Sequence, residues 1–133
     1  MNLHFLSLVV ATVTSTVSAY SSLEPSPMDV ARDFQNTVNQ AAARQDTMAL
    51  RAMFDDGFLY ESCVKKSGHF QDYINALFRY KGTGKVLSAR ADKRFVIYQV
   101  QYTTLPHTTH LNEVMIRRNY YGYKFNRAQE MIC

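Results

Sequence analysis

A change of hydrophobic period near residue 85 limits what this chain can fold into. Before it, apolar residues recur at helical spacing; after it, they alternate. Phe70, Tyr73, Ile74, Leu77 and Phe78 stand at i, i+3, i+4, i+7 and i+8, which is one face of a helix. Phe95 to Tyr102 reads FVIYQVQY, an aromatic and β-branched run with period two, as on a half-buried strand. Helices first and a run of strands last indicate an α+β domain, with helices on one face of a curved antiparallel sheet.

The remaining segments extend that order. Ser26-Pro27-Met28-Asp29 is a helix start: Ser caps, Pro takes the first helical position, and Asp lies three residues after the cap. Val30, Phe34, Val38 and Ala41 or Ala42 repeat at helical spacing, so a first helix is expected over 27–44. Asp46 caps a short second helix with Leu50, Met53 and Phe54 on its stripe, ended by Asp55-Asp56-Gly57. Phe58 to Cys63 reads as a strand. Gly68 breaks the chain before the third helix, and Lys81-Gly82-Thr83-Gly84 ends that helix. Strands are expected at Val86–Ala91, Phe95–Tyr102, Leu111–Asn119 and Tyr123–Met131, with a polar loop from Leu105 to His110. The order is ααβαββββ.

Residues 1–19 read MNLHFLSLVVATVTSTVSA and contain no Asp, Glu, Lys or Arg. Leu3 to Val13 is largely apolar, and Val17-Ser18-Ala19 places compact residues at the −3 and −1 positions of a signal-peptidase site. The apolar run is shorter than the roughly 20 residues that a membrane span needs. A signal peptide is therefore expected over 1–19, a polar entry segment over 20–27, and one domain over 28–133, in a secreted protein whose mature chain has no membrane span. A hydrophobic content of 47% provides a core and excludes a disordered chain. In an oxidising compartment the two cysteines, Cys63 and Cys133, are expected to pair within the chain. An intermolecular bridge and a reactive thiol remain open.

Three local patterns stand in order along the chain. Leu50-Arg51-Ala52-Met53-Phe54-Asp55-Asp56-Gly57-Phe58 joins the second helix to the first strand. Gly68 precedes an apolar helix, and Gly122-Tyr123-Lys124-Phe125 turns into the last strand. With the element order, over about 28–132, they resemble the nuclear transport factor 2-like superfamily (SnoaL-like, a cystatin-like α+β cone). The resemblance implies three helices packed into a bent sheet that forms an open cone. It also implies one of two activities. Some members, such as ketosteroid isomerase and scytalone dehydratase, are enzymes; others are dimeric adaptors and association domains. The isomerase carries its general base on the first strand shortly after the acidic pair. That position corresponds to Glu61 here, where Tyr60 or His69 would assist.

The residues themselves leave more than one reading. Glu61 could abstract a proton from an apolar cone, or face solvent. Asp55 and Asp56 are a paired carboxylate, more simply read as turn chemistry. His69, His107 and His110 do not make a zinc set, and neither a metal nor a cofactor is expected. Phe34, Phe54, Tyr60, Tyr73, Phe78 and Tyr98 are expected to line a pocket for a small hydrophobic ligand, or else to fill the core. Lys93-Arg94, Arg117-Arg118, Lys124 and Arg127 lie beside strands. The net charge of +4 is spread over the chain beyond residue 23, so solvated outer-face charges are expected and nucleic acid is not. Homodimerisation through the sheet face would use Tyr98, Val100, Tyr102, Met115 and Arg117. The leading expectation is a secreted, non-catalytic module that binds such a ligand or associates through its sheet; the alternative is an isomerase- or dehydratase-like enzyme using Glu61.

Overall fold

A computed structural model describes residues 24–64 and 68–133. The expected leader and its cleavage site lie outside the described residues. Helix α1 spans Pro27–Ala43, and Ser26 caps it by accepting a hydrogen bond from the Asp29 amide at 3.2 Å. Its buried stripe is Ala31, Phe34, Gln35, Val38, Ala41 and Ala42. Helix α2 is one short turn, Thr47–Arg51, capped by Asp46 through the Ala49 amide at 3.0 Å. After strand β1, Phe54–Glu61, comes helix α3, Phe70–Tyr80. His69 is the α3 cap residue, and its amide donates to Asp72 Oδ2 at 2.9 Å. Lys81 ends α3 in the left-handed conformation at φ 53°. Strands β2 (Lys85–Asp92), β3 (Phe95–Thr104), β4 (Thr108–Asn119) and β5 (Gly122–Glu130) complete the chain.

The five strands form one sheet in the order β1-β5-β4-β3-β2. β2 through β5 pair antiparallel, as expected, but β1 runs parallel to β5. The sheet is therefore mixed. Each local turn signal governs one hairpin; the direction in which the first strand meets the last is set by the long return of the chain through α3. Two boundaries also move. The second helix ends at Arg51, and Phe54, Asp55, Asp56 and Gly57 are strand residues instead of a helix stop. Phe54 pairs with Phe125, whose amide donates to the Met53 carbonyl at 2.7 Å, so sheet pairing takes over these backbone groups. Gly57 lies where the β1–β5 register shifts, between Phe54 and Leu59. The histidine loop shortens to Leu105-Pro106-His107, because Thr108, Thr109 and His110 pair with Thr104, Thr103 and Tyr102.

Between helices and sheet the space is filled by rings. Phe125, wholly buried, meets Phe54 at 4.6 Å between centroids, Phe34 at 4.8 Å and Tyr73 at 5.5 Å. Beside this cluster runs a buried polar chain. Tyr98 donates to Gln35 Oε1 at 2.9 Å, and Gln35 Nε2 donates to Asn39 Oδ1 at 2.9 Å and to the Tyr102 hydroxyl at 3.2 Å. Asn112 Nδ2 donates to the Tyr73 hydroxyl at 3.3 Å. These bonds satisfy groups that would be costly to bury alone, save the Asn112 side-chain oxygen, which is buried without a hydrogen-bond partner among the described residues. Gly84 makes the packing here feasible: a Cβ on it would lie 2.7 Å from the Tyr102 ring and 2.4 Å from Gln35 Nε2.

Cys63 and Cys133 form a disulfide across a sequence separation of 70. It ties the last residue to the segment after β1. Reduction, or Cys133→Ser, is expected to lower stability by about 2–4 kcal/mol, because the bridge restricts a long loop of the unfolded chain. Urea unfolding with and without reductant checks this, and equal midpoints would count against it.

Candidate functional site

The cone opens where β3 ends, β4 begins and β5 ends. A cleft of about 740 Å³ lies there, walled by Tyr80 and Arg79 of α3, Thr104 of β3, His110 of β4 and Glu130 of β5. A smaller hollow of about 310 Å³ beside it is reached past Tyr60, Asp72 and Asn75. Arg79 and Glu130 line both. Each wall residue is placed by strand parity or helix face. Tyr80 continues the Tyr73, Ile74, Leu77 stripe of α3 and stacks on Tyr102 at 4.3 Å. His110 lies two residues from the inward Asn112, with its ring 5.2 Å from Tyr80 and its Nε2 3.1 Å from Thr104 Oγ1. Glu130 lies two residues from the buried Ala128, on the same side of β5.

The electrostatics centre on Glu130. The Tyr60 hydroxyl donates to Glu130 Oε1 at 2.7 Å. Burial, and then this bond, raise the Tyr60 pKa well above the ordinary phenol value. Burial, and then the charge of Glu130, also raise that of Tyr80. Both hydroxyls therefore stay protonated and serve as hydrogen-bond donors or acceptors. Glu130 also lies near Cys63 and Cys133, within ligand distance of one metal ion. The two sulfurs are bonded to each other, which removes both as thiolate ligands.

The residues singled out from the sequence fall in four places. Phe34, Phe54, Tyr73 and Tyr98 are core side chains, and Phe78 is half-buried against the core; none of the five lines the cleft or the hollow. Of that set Tyr60 reaches the open space. The reason is packing: in a domain this small the rings meet one another and close the interior. Glu61 follows Tyr60 on β1 and points to the opposite face. It is ion-paired with Arg127 of β5 and partly exposed. The guanidinium occupies one of its oxygens, and the cone interior lies on the other side of the sheet. His69 is exposed at the start of α3. The structure does not bring Glu61, Tyr60 and His69 together around one space.

The sheet-face set also divides. Tyr98, Val100 and Tyr102 are buried inward, whereas Met115 and Arg117 lie on the outer face with Ile97 and Gln99. Gln99 and Gln101 mark the outer parity of β3, so its alternation already places Tyr98, Val100 and Tyr102 inward, away from a sheet-face contact. Glu130, Tyr80, Thr104 and Arg79 were not singled out from the sequence. Continuing the α3 stripe by one turn would have found Tyr80; alternation from Phe125 would not have found Glu130, because the β4–β5 register shifts between Phe125 and Arg127 and reverses the phase.

No protein-family model matches the sequence, and no curated protein matches it. Solved structures do match. An NTF2-like protein from Cytophaga hutchinsonii aligns with a TM-score of 0.59 at 15% identity, over 80% of this chain and 98% of its own. An NTF2-like protein of unknown function in nutrient uptake, from Rhodospirillum rubrum, aligns at 0.56 and 13%, over 77% and 97%. A de novo designed protein with a curved β-sheet aligns at 0.57 and 14%, over 77% and 96%. The fold is thus NTF2-like: an α+β cone with a mixed, curved five-stranded sheet. Among the described residues no helix is long and apolar enough to cross a membrane.

Proposed function

We propose that the protein is a secreted, non-catalytic binding module whose cleft at the open end of the cone holds a small hydrophobic molecule. The observation that carries this reading is the pairing of a stacked Tyr80–Tyr102 floor with a single half-buried carboxylate, Glu130, on the wall. A ring or alkyl body would lie on Tyr80. A hydroxyl or amine on that molecule would donate to the Glu130 oxygen left free by Tyr60. The expected leader at residues 1–19 and the exposed disulfide support an extracellular setting. Binding is favoured over turnover because the carboxylate expected to act as a base, Glu61, is occupied by Arg127 on the outer face.

Native mass spectrometry of the protein purified from its source tests this. The expected result is a mass above that of the chain, released on denaturation. Thr104→Trp should fill the cleft and abolish the added mass without changing the thermal midpoint. A bare wild-type chain, or the same added mass on the Thr104→Trp protein, would contradict the reading.

A further inference from the structure

The end of the sheet opposite the cleft carries a second feature. The β4–β5 hairpin turns at Tyr120 and Tyr121, whose side chains are 97% and 94% exposed. Their rings stand 5.8 Å apart, edge to face. Asn119 Oδ1 accepts from the Tyr121 amide at 2.9 Å and shapes the turn. Core packing does not account for two adjacent tyrosines held this far out.

A collar of cations surrounds them. Arg117, Arg118 and Lys124 belong to the same hairpin, with Arg117 paired to Lys124 across the ladder. Arg117 and Arg118 are consecutive on β4 and point to opposite faces of the sheet. Lys93 and Arg94 form the neighbouring β2–β3 turn, and the Arg118 amide donates to the Arg94 carbonyl at 2.7 Å, which holds the two turns side by side. The ion pairs found among the described residues, Arg51–Asp56 and Arg127–Glu61, involve none of these five cations. Two acids stand nearby. Asp92 pairs with Phe95, and Glu24 lines a hollow of about 530 Å³ with Arg118 and Tyr120.

We propose that this end of the sheet docks the protein on an anionic lipid membrane. The shape selects the partner. The tyrosines form an apex with the cations set behind it, so a flat anionic surface meets the rings first and the collar second. A tyrosine ring with its hydroxyl suits the headgroup layer, where one end is apolar and the other wet. Each basic group is drawn to the negative surface potential. A flexible polyanion is instead gripped in a groove or over a flat platform of rings; the hollow at this end carries the carboxylate of Glu24 on its wall, which disfavours one. In this pose the ligand cleft, at the far end of the sheet, faces away from the membrane.

Co-sedimentation of the intact chain with phosphatidylcholine vesicles tests the proposal. Vesicles with about 30% phosphatidylserine should carry the protein down, pure phosphatidylcholine should not, and added salt should release it. Arg117→Glu with Arg118→Glu should weaken binding at least 25-fold, taking about fivefold for each basic group. Tyr120→Ser with Tyr121→Ser should weaken it about tenfold. All four side chains are exposed, so thermal midpoints should not move. Lys93→Glu with Arg94→Glu gives an independent check from the second turn. Absence of sedimentation, equal binding to neutral vesicles, or binding unchanged in these variants overturns the proposal. Capture by a sulfated polysaccharide without vesicle binding also overturns it and assigns the patch to an acidic polymer.

Discussion

Above about pH 10 the protein is expected to unfold over a narrow pH interval, releasing a burst of tyrosinate as it does so. Tyr60, Tyr73, Tyr80, Tyr98 and Tyr102 all have pKa values raised by burial, with further contributions from Glu130 or from one another. In the unfolded chain these hydroxyls lose their protons near pH 10. The folded chain keeps them, so it binds more protons than the unfolded one, and its stability falls as pH rises. Below about pH 10 the contribution is fully present. Above it, each tyrosine that the fold keeps protonated removes about 1.4 kcal/mol per pH unit, and these losses add. A domain holding about 5–15 kcal/mol cannot sustain several such losses over more than a few pH units. Tyrosinate absorbance and near-ultraviolet circular dichroism, followed through the same titration, check this. A step in tyrosinate absorbance coincident with loss of the fold is expected; loss of the fold without such a step would mean that these rings are already solvated.

Phe125→Ala is expected to cost about 4–5 kcal/mol, near the upper end for removal of a buried ring. Its neighbours Phe34, Phe54 and Tyr73, with Phe58 at 6.1 Å, are themselves rigid rings on three different elements. They belong to α1, β1 and α3 and cannot all close on the vacated space. Tyr121→Ala removes a ring of similar size from the hairpin tip and should change stability by less than about 0.5 kcal/mol. Urea unfolding of the two variants makes the comparison. Equal losses would mean that the interior is not close-packed around Phe125.

These two expectations also show how far the sequence could be read. The stripe Phe70, Tyr73, Ile74, Leu77, Phe78 and the cap at Ser26 announce α3 and α1 because helix periodicity and capping are local. The element order is legible for the same reason, and the cysteine pairing follows from their count and the expected compartment. The parallel β1–β5 contact is not legible, since it depends on residues 70 positions apart, such as Tyr60 and Glu130. Phe54 sits at helical spacing from Leu50 yet becomes strand, because pairing with Phe125 outweighs local preference. At the site, the aromatic set was legible as interior. Its division into core rings and cleft wall was not: Tyr60, Tyr73 and Tyr98 look alike in sequence, and three-dimensional packing alone leaves Tyr60 at the opening. Glu61 drew notice through its position after the acidic pair. Glu130, without such a marker, is the carboxylate that the fold turns towards the cleft.

The filled interior and the walled opening are therefore one arrangement: rings occupy the cone, and the proposed binding space lies at its mouth. Soaking crystals of the protein with p-cresol tests this directly. Density for the probe is expected over Tyr80, with its hydroxyl within hydrogen-bond distance of Glu130. Density among Phe54, Tyr73 and Phe125, or none in the cleft, would contradict it.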